Sequence, residues 1–144
     1  MAISERETDD RSTARLYWLA QIALAALCLN TTIWLIGFFR ALVLGWEGQI
    51  IGITVRELGL QLTTLEFGLY LVMSAALYLT QILFSLGRRA AALALALTLS
   101  CHFVLWVLLA SNPVYDGRFG LLLIGLEVFT LGLLLLLIRS RVLR

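Results

Sequence analysis

The 144-residue chain is 61% hydrophobic and 14% charged, against about 45–50% apolar and roughly 25% charged residues in soluble domains. A water-soluble fold of this length could not hide so much apolar surface, and the mean hydropathy of +0.96 places the chain among membrane proteins. A net charge of +2, with no basic patch interleaved with aromatics, gives a nucleic-acid partner nothing to hold.

The polar stretch 1–15 reads as a disordered tail. The apolar run behind it is too long for a secretory signal peptide and lacks a small-residue cleavage site, so residues 16–39 read as a first span. Stretches 65–86, 90–111 and 119–138 also approach or exceed the ~20 residues that cross a ~30 Å hydrocarbon core. Lipid offers backbone groups no outside partner, so each must be a helix. Residues 16–144 thus form one all-α transmembrane domain of four helices.

Segment 40–64 is harder to read. It mixes Gly45, Gly48, Gly52 and Gly59 with Ile50, Ile51, Ile53, Val55, Leu58, Leu60 and Leu62. That is too apolar for a solvated loop and too glycine-rich for a plain helix. The favoured expectation is an interfacial segment on the outer leaflet. Extension of the first two spans beyond the lipid, or cover by a partner, are the alternatives.

The tight turn at Gly87, Arg88 and Arg89 makes the second and third spans antiparallel neighbours. The 112–117 segment, with the only proline, makes the third and fourth a second hairpin. An up-down-up-down bundle is the simplest result. All eleven basic residues are arginine, a mild sign of a GC-rich bacterial genome, and their placement is uneven. Arg6, Arg11, Arg15, Arg88, Arg89, Arg139, Arg141 and Arg144 fall on one side, against Arg40, Arg56 and Arg118 on the other. The positive-inside bias puts both termini in the cytoplasm of a bacterial inner membrane. Tyr17 and Trp18 would mark the inner boundary, Trp46 and Tyr115 the outer one.

Glu127 lies about nine residues into the fourth span, or ~13 Å deep at 1.5 Å per residue. An ionised carboxylate there costs about 2.5–3.5 kcal/mol on insertion scales, so it must face the bundle or a cavity, be protonated, or be paired. His102, the only histidine, falls at the same depth in the third span. Asn30 does so in the first and Ser74 in the second, giving one polar residue per helix in a single layer. Helical spacing supports the layer: Thr98, His102 and Trp106 share a face, as do Tyr70, Ser74 and Tyr78, and Glu127 lies beside Thr130. Ala92, Ala96 and Ser100 have the small-xxx-small spacing of close helix contacts.

A Glu127–His102 pair could bind a proton, an ion or a polar ligand group, since imidazole beside carboxylate exchanges protons near neutral pH. It could equally be a buried bond that fixes helix register, worth roughly 0.6 kcal/mol in membrane bundles, or a contact between subunits. At the outer rim, Glu66 could pair with Arg56 or Arg118, or simply be solvated. Trp34 and Trp106 read as packing or lipid-facing aromatics.

Cys28 and Cys101 both lie in apolar runs and form no CxxC pair. The chain carries no HExxH, Walker A or GxSxG motif, so no enzyme activity, metal or cofactor is expected. His102 as an axial ligand of haem or another pigment is an alternative, but one histidine would need a second subunit or a five-coordinate pigment. The leading functional expectation is a non-enzymatic membrane subunit that docks into a larger complex or against its own copies. The alternative is a small homo-oligomeric proton- or ion-coupled transporter or channel using Glu127 and His102.

Overall fold

The computed structural model describes the backbone of residues 2–115 and 117–144, and the side chains of those from 11 onward. Five helices make up almost all of it: α1 (Ala2–Leu44), α2 (Val55–Gln61), α3 (Thr64–Ser85), α4 (Ala90–Leu109) and α5 (Gly117–Arg139). Between α1 and α2 the two-residue strands β1 (Gln49–Ile50) and β2 (Ile53–Thr54) pair antiparallel. Four helical segments are long and apolar enough to cross a membrane: Arg11–Leu44, Thr64–Ser85, Ala90–Leu109 and Gly117–Arg139. They fall on the four expected stretches, the first being longer at both ends. The expected disordered tail, 1–15, differs in its inner part, because residues 11–15 continue α1 without a break; the side chains of its first ten residues lie outside those described.

The sequences are apolar nearly all round, so what selects the buried face is side-chain spacing. On α1 the buried positions include Ala20, Leu24, Leu27, Thr31, Trp34, Phe38 and Ala41, with Ala23 and Gly37 beside them; on α4 they include Ala91, Leu95, Thr98, His102, Leu105 and Leu109. Both series alternate steps of four and three, and Tyr70, Met73, Leu77, Thr80 and Phe84 on α3 do the same. This is the 3.5-residue repeat with which helices interlock side by side in coiled coils and most membrane bundles. The small-xxx-small run expected to carry a contact does not: Ala92 is buried, but Ala96 is only partly so and Ser100 is exposed. The small residues of α4 that are buried on the repeat are Ala91 and Thr98.

The core divides in two along the bundle. One half is filled by Leu24, Leu77, Phe84, Leu95, Leu134 and Leu137. At that end Tyr17 stacks on Phe84 with ring centroids 4.9 Å apart. After α5 the chain turns back through Arg141 (φ 61°) and buries Leu143. The Arg144 N–H then donates to the Gly87 carbonyl at 2.8 Å, and the Arg89 N–H donates to the Arg144 carbonyl at 3.0 Å. The start of the first span, the α3–α4 turn and the end of α5 therefore meet at one arginine-rich end.

At the opposite end, segment 40–64 is partly helix and partly a folded cap. α1 runs on to Leu44, after which the β hairpin and α2 fold back over it, burying Ile53, Val55 and Leu58 against Trp34, Phe38 and Ala41. Ile50 seats over Gly37, where a side-chain methyl would collide with it. The hairpin turns through Ile51 (φ 52°) and Gly52 (φ 76°), the double left-handed conformation of a tight hairpin turn. That conformation suits Gly52 and strains the β-branched Ile51.

Two outcomes follow. Leu134→Ala, at a position with no exposure, should destabilise the protein by about 2–5 kcal/mol, read as a lower thermal midpoint in detergent. Ile51→Gly should be stabilising instead, by about 1 kcal/mol, through relief of the left-handed strain.

Candidate functional site

His102 and Glu127 occupy core positions of α4 and α5, where the 3.5-residue repeat turns them toward the bundle axis. His102 Nδ1 lies 2.8 Å from Glu127 Oε1. The residues are 6% and 2% exposed, so water does not screen the pair. The α4–α5 connection supports this alignment. Asn112 Oδ1 accepts the Val114 N–H at 2.9 Å, and the Trp106 indole N–H donates to the Gly117 carbonyl at 2.8 Å. Trp106 and Tyr115 lie close over Gly120, leaving no room there for a side chain. Trp106 is thus a clamp on the second hairpin as well as a packing residue.

The other buried polar groups of the spans mostly turn inward on their own helices. Thr80, Thr98 and Thr130 donate to the carbonyls of Ala76, Ala94 and Leu126 at 2.9, 3.1 and 2.7 Å. Such back-bonding satisfies a hydroxyl without help from a neighbour. Ser74 does likewise, donating to the Tyr70 carbonyl at 2.7 Å. Glu127 has no such outlet: Oε1 meets His102, while Oε2 is buried with no hydrogen-bond partner. Among the described residues only the Gln81 amide oxygen shares that condition. An unpaired buried acceptor costs about 1–3 kcal/mol, more when charged.

Glu127 and His102 line a cavity of about 80 Å³. Its walls run from the pair past Thr31, Met73 and Leu123, then Trp34, Tyr70 and Leu105, to Phe38, Glu66, Leu109, Tyr115 and Phe119. Leu58 of α2 and Leu62 beyond it close over this far end. Of the four residues expected in one polar layer, Glu127, His102 and Asn30 line the cavity, with Asn30 half-buried. Ser74 is buried outside it, with its hydroxyl bonded within α3.

At the rim, Glu66 and Arg56 each have a partner other than the other. Glu66 caps its own helix: its carboxylate accepts the Thr63 N–H at 2.6 Å and the Thr63 hydroxyl at 2.8 Å, while the Glu66 N–H donates to Thr63 Oγ1 at 3.3 Å. Thr63 and Glu66 stand in the threonine-x-x-glutamate order of a capping box, a signal present in the sequence. Arg56 pairs with Glu47 at 2.7 Å rather than with Glu66.

Sequence reasoning missed most of the apolar lining. Trp34 and Phe38 sit on the four-and-three series of α1, so following that repeat from Ala20 would have found them. Among the described residues no three His, Cys, Asp or Glu side chains gather where they could hold one metal ion. Compared with known proteins, the chain matches no family model, no curated protein and no solved structure.

Replacing His102 by Ala leaves both Glu127 oxygens buried without a partner. It should destabilise the protein by about 1–3 kcal/mol in detergent or SDS unfolding, whereas Glu127→Gln, which removes the charge and keeps the shape, should cost less.

Proposed function

We propose that this chain is a small proton- or ion-coupled transport protein of the bacterial inner membrane, with Glu127 and His102 as its exchanging centre. In this reading the four spans run up-down-up-down and both termini are cytoplasmic. The support is charge: Arg11, Arg15, Arg88, Arg89, Arg139, Arg141 and Arg144 collect at the end where the α3–α4 turn meets the end of α5, as the positive-inside bias requires of a cytoplasmic face.

The single observation that carries the reading is the unpartnered Glu127 Oε2 at the wall of a cavity. A bond that served only to fix register would satisfy both partners, as the threonine back-bonds do. Here one acceptor is left without a donor, on a residue that lines the cavity. The position also suits exchange. The pair stands at the boundary between the hollow half and the packed leucine half, so whatever enters the cavity stops at Glu127. Passage then requires the packed half to open, and four helices held together without interhelical covalent links can shear to do so.

In pyranine-loaded proteoliposomes, an imposed inward proton gradient should collapse faster than in empty vesicles, and Glu127→Gln should return the rate to that of empty vesicles. Infrared difference spectra should also show a carboxyl signal that responds to pH and is missing in Glu127→Gln. Equal rates in wild type and variant, with no titrating carboxyl, would sink the reading.

A second reading, a non-enzymatic subunit assembled with other membrane chains or with its own copies, draws on α5. Gly125 and Gly132 are exposed, seven residues apart on one face, with open space where side chains would lie. Small residues let another helix approach closely in lipid. Purification in mild detergent separates the two: a stoichiometric partner favours the subunit, and a homo-oligomer favours transport.

A further inference from the structure

We propose that the cavity takes an organic monocation, an ammonium group on an apolar or aromatic body, whose N–H donates to Glu127 Oε2. This rests on the reading of the Glu127–His102 pair as an exchanging centre, and it names what is exchanged against the proton.

Three observations converge. Glu127 Oε2 is a buried acceptor without a donor, on a residue 2% exposed that lines the cavity. The lining is acidic: it holds two carboxylates, Glu127 at the floor and Glu66 at the far end, and no arginine, although the chain has eleven. An anionic ligand would meet both carboxylates with His102 as its only possible counter-charge. The walls carry the aromatic rings of Trp34, Phe38, Tyr70, Tyr115 and Phe119, and ring faces attract cations, most strongly where water is excluded. A bare hard cation fits poorly, since magnesium or calcium needs about six oxygen ligands and the floor offers one free carboxylate oxygen.

The charge balance sets the coupling. In its net-neutral form the pair holds the proton that bridges His102 Nδ1 and Glu127 Oε1 and one exchangeable proton on the other imidazole nitrogen. When the ammonium docks on Oε2, one positive charge arrives and that proton leaves to solvent, so the net charge of the buried site is unchanged. The other titratable groups facing the cavity are Glu66 and Tyr70 from α3 and Tyr115 from the α4–α5 connection. α1 and α2 present none, only Leu27, Asn30, Thr31, Trp34, Phe38 and Leu58. Cation affinity therefore rises with pH as the proton competes less.

The test uses three probes of one shape and different charge: phenylbutylammonium, phenylbutanol and phenylbutyrate. Each is titrated calorimetrically into the protein in nanodiscs, with empty nanodiscs subtracted. The ammonium should bind at least about tenfold tighter than the alcohol and release a proton, seen as heat that varies with the buffer. The carboxylate should not bind. Glu127→Gln should abolish the preference for ammonium over alcohol. Leu123→Trp, which fills the cavity and leaves both members of the pair in the sequence, should abolish binding of both, and it keeps the test open if Glu127→Gln does not fold. Alcohol binding as tight as ammonium would overturn the cation assignment. So would the absence of any binding that Leu123→Trp removes. If the Glu127 carboxyl still titrated in either case, the exchanging centre would stand and only the identity of its ligand would fall. A carboxyl that did not titrate would remove both.

Discussion

The bundle is organised around the cost of keeping a carboxylate in hydrocarbon. Glu127 on an exposed helix face would cost about 2.5–3.5 kcal/mol or more, so α5 is constrained to turn that face inward and α4 to present His102 against it. A bond of 2.8 Å across two helices tolerates little sliding. Much of the nearby structure keeps the two helices in step: the Asn112 turn, the Trp106 indole on the Gly117 carbonyl, and the close packing over Gly120. Glycine at position 120 is as much a requirement of the pair as its two members are.

The two halves of the core do different work because they are built from different groups. Leucines, alanines and back-bonded threonines make up the core of the arginine-rich half. The other half is lined by aromatics that meet at angles rather than in tight layers. Phe38 packs edge-on against Tyr70 at 5.5 Å and against Phe67 at 6.4 Å. Rigid rings on diverging helices leave space that leucines would have closed. The cavity follows from that choice of residues, and α2 with the β hairpin roofs it.

The spans and the Glu127–His102 contact were legible because the physics behind them is strong and local. Length and hydropathy give the helices, and equal depth in neighbouring helices gives the pair. What was not legible depended on rotation. Asn30 lines the cavity only half-buried beside the buried Thr31, and Ser74 is buried outside the cavity that Met73 lines; depth alone does not report that. The run Ala92, Ala96, Ser100 failed for the same reason, since a small-residue motif marks a possible contact without saying which face is buried. The fold of 40–64 was hidden because its turn places an isoleucine where a glycine or asparagine would announce a hairpin. The capping box at Thr63 and Glu66 was in plain view, and its local geometry outcompeted the longer-range ion pair with Arg56.

The helices are also of unequal reach. At 1.5 Å per residue the 20 residues of α4 span about 30 Å, whereas the 34 apolar-to-polar residues from Arg11 to Leu44 span about 50 Å. The short helix, tied at one end to α3 by a tight turn and at the other to α5 through Trp106, cannot lean far to suit its surroundings. It acts as a gauge of bilayer thickness. In a thicker membrane the lipid must thin around α4, while α1 has length to spare and can tilt or protrude. Hydrophobic mismatch would fall on the helix that carries His102, so the thickness of the host bilayer bears directly on the buried pair.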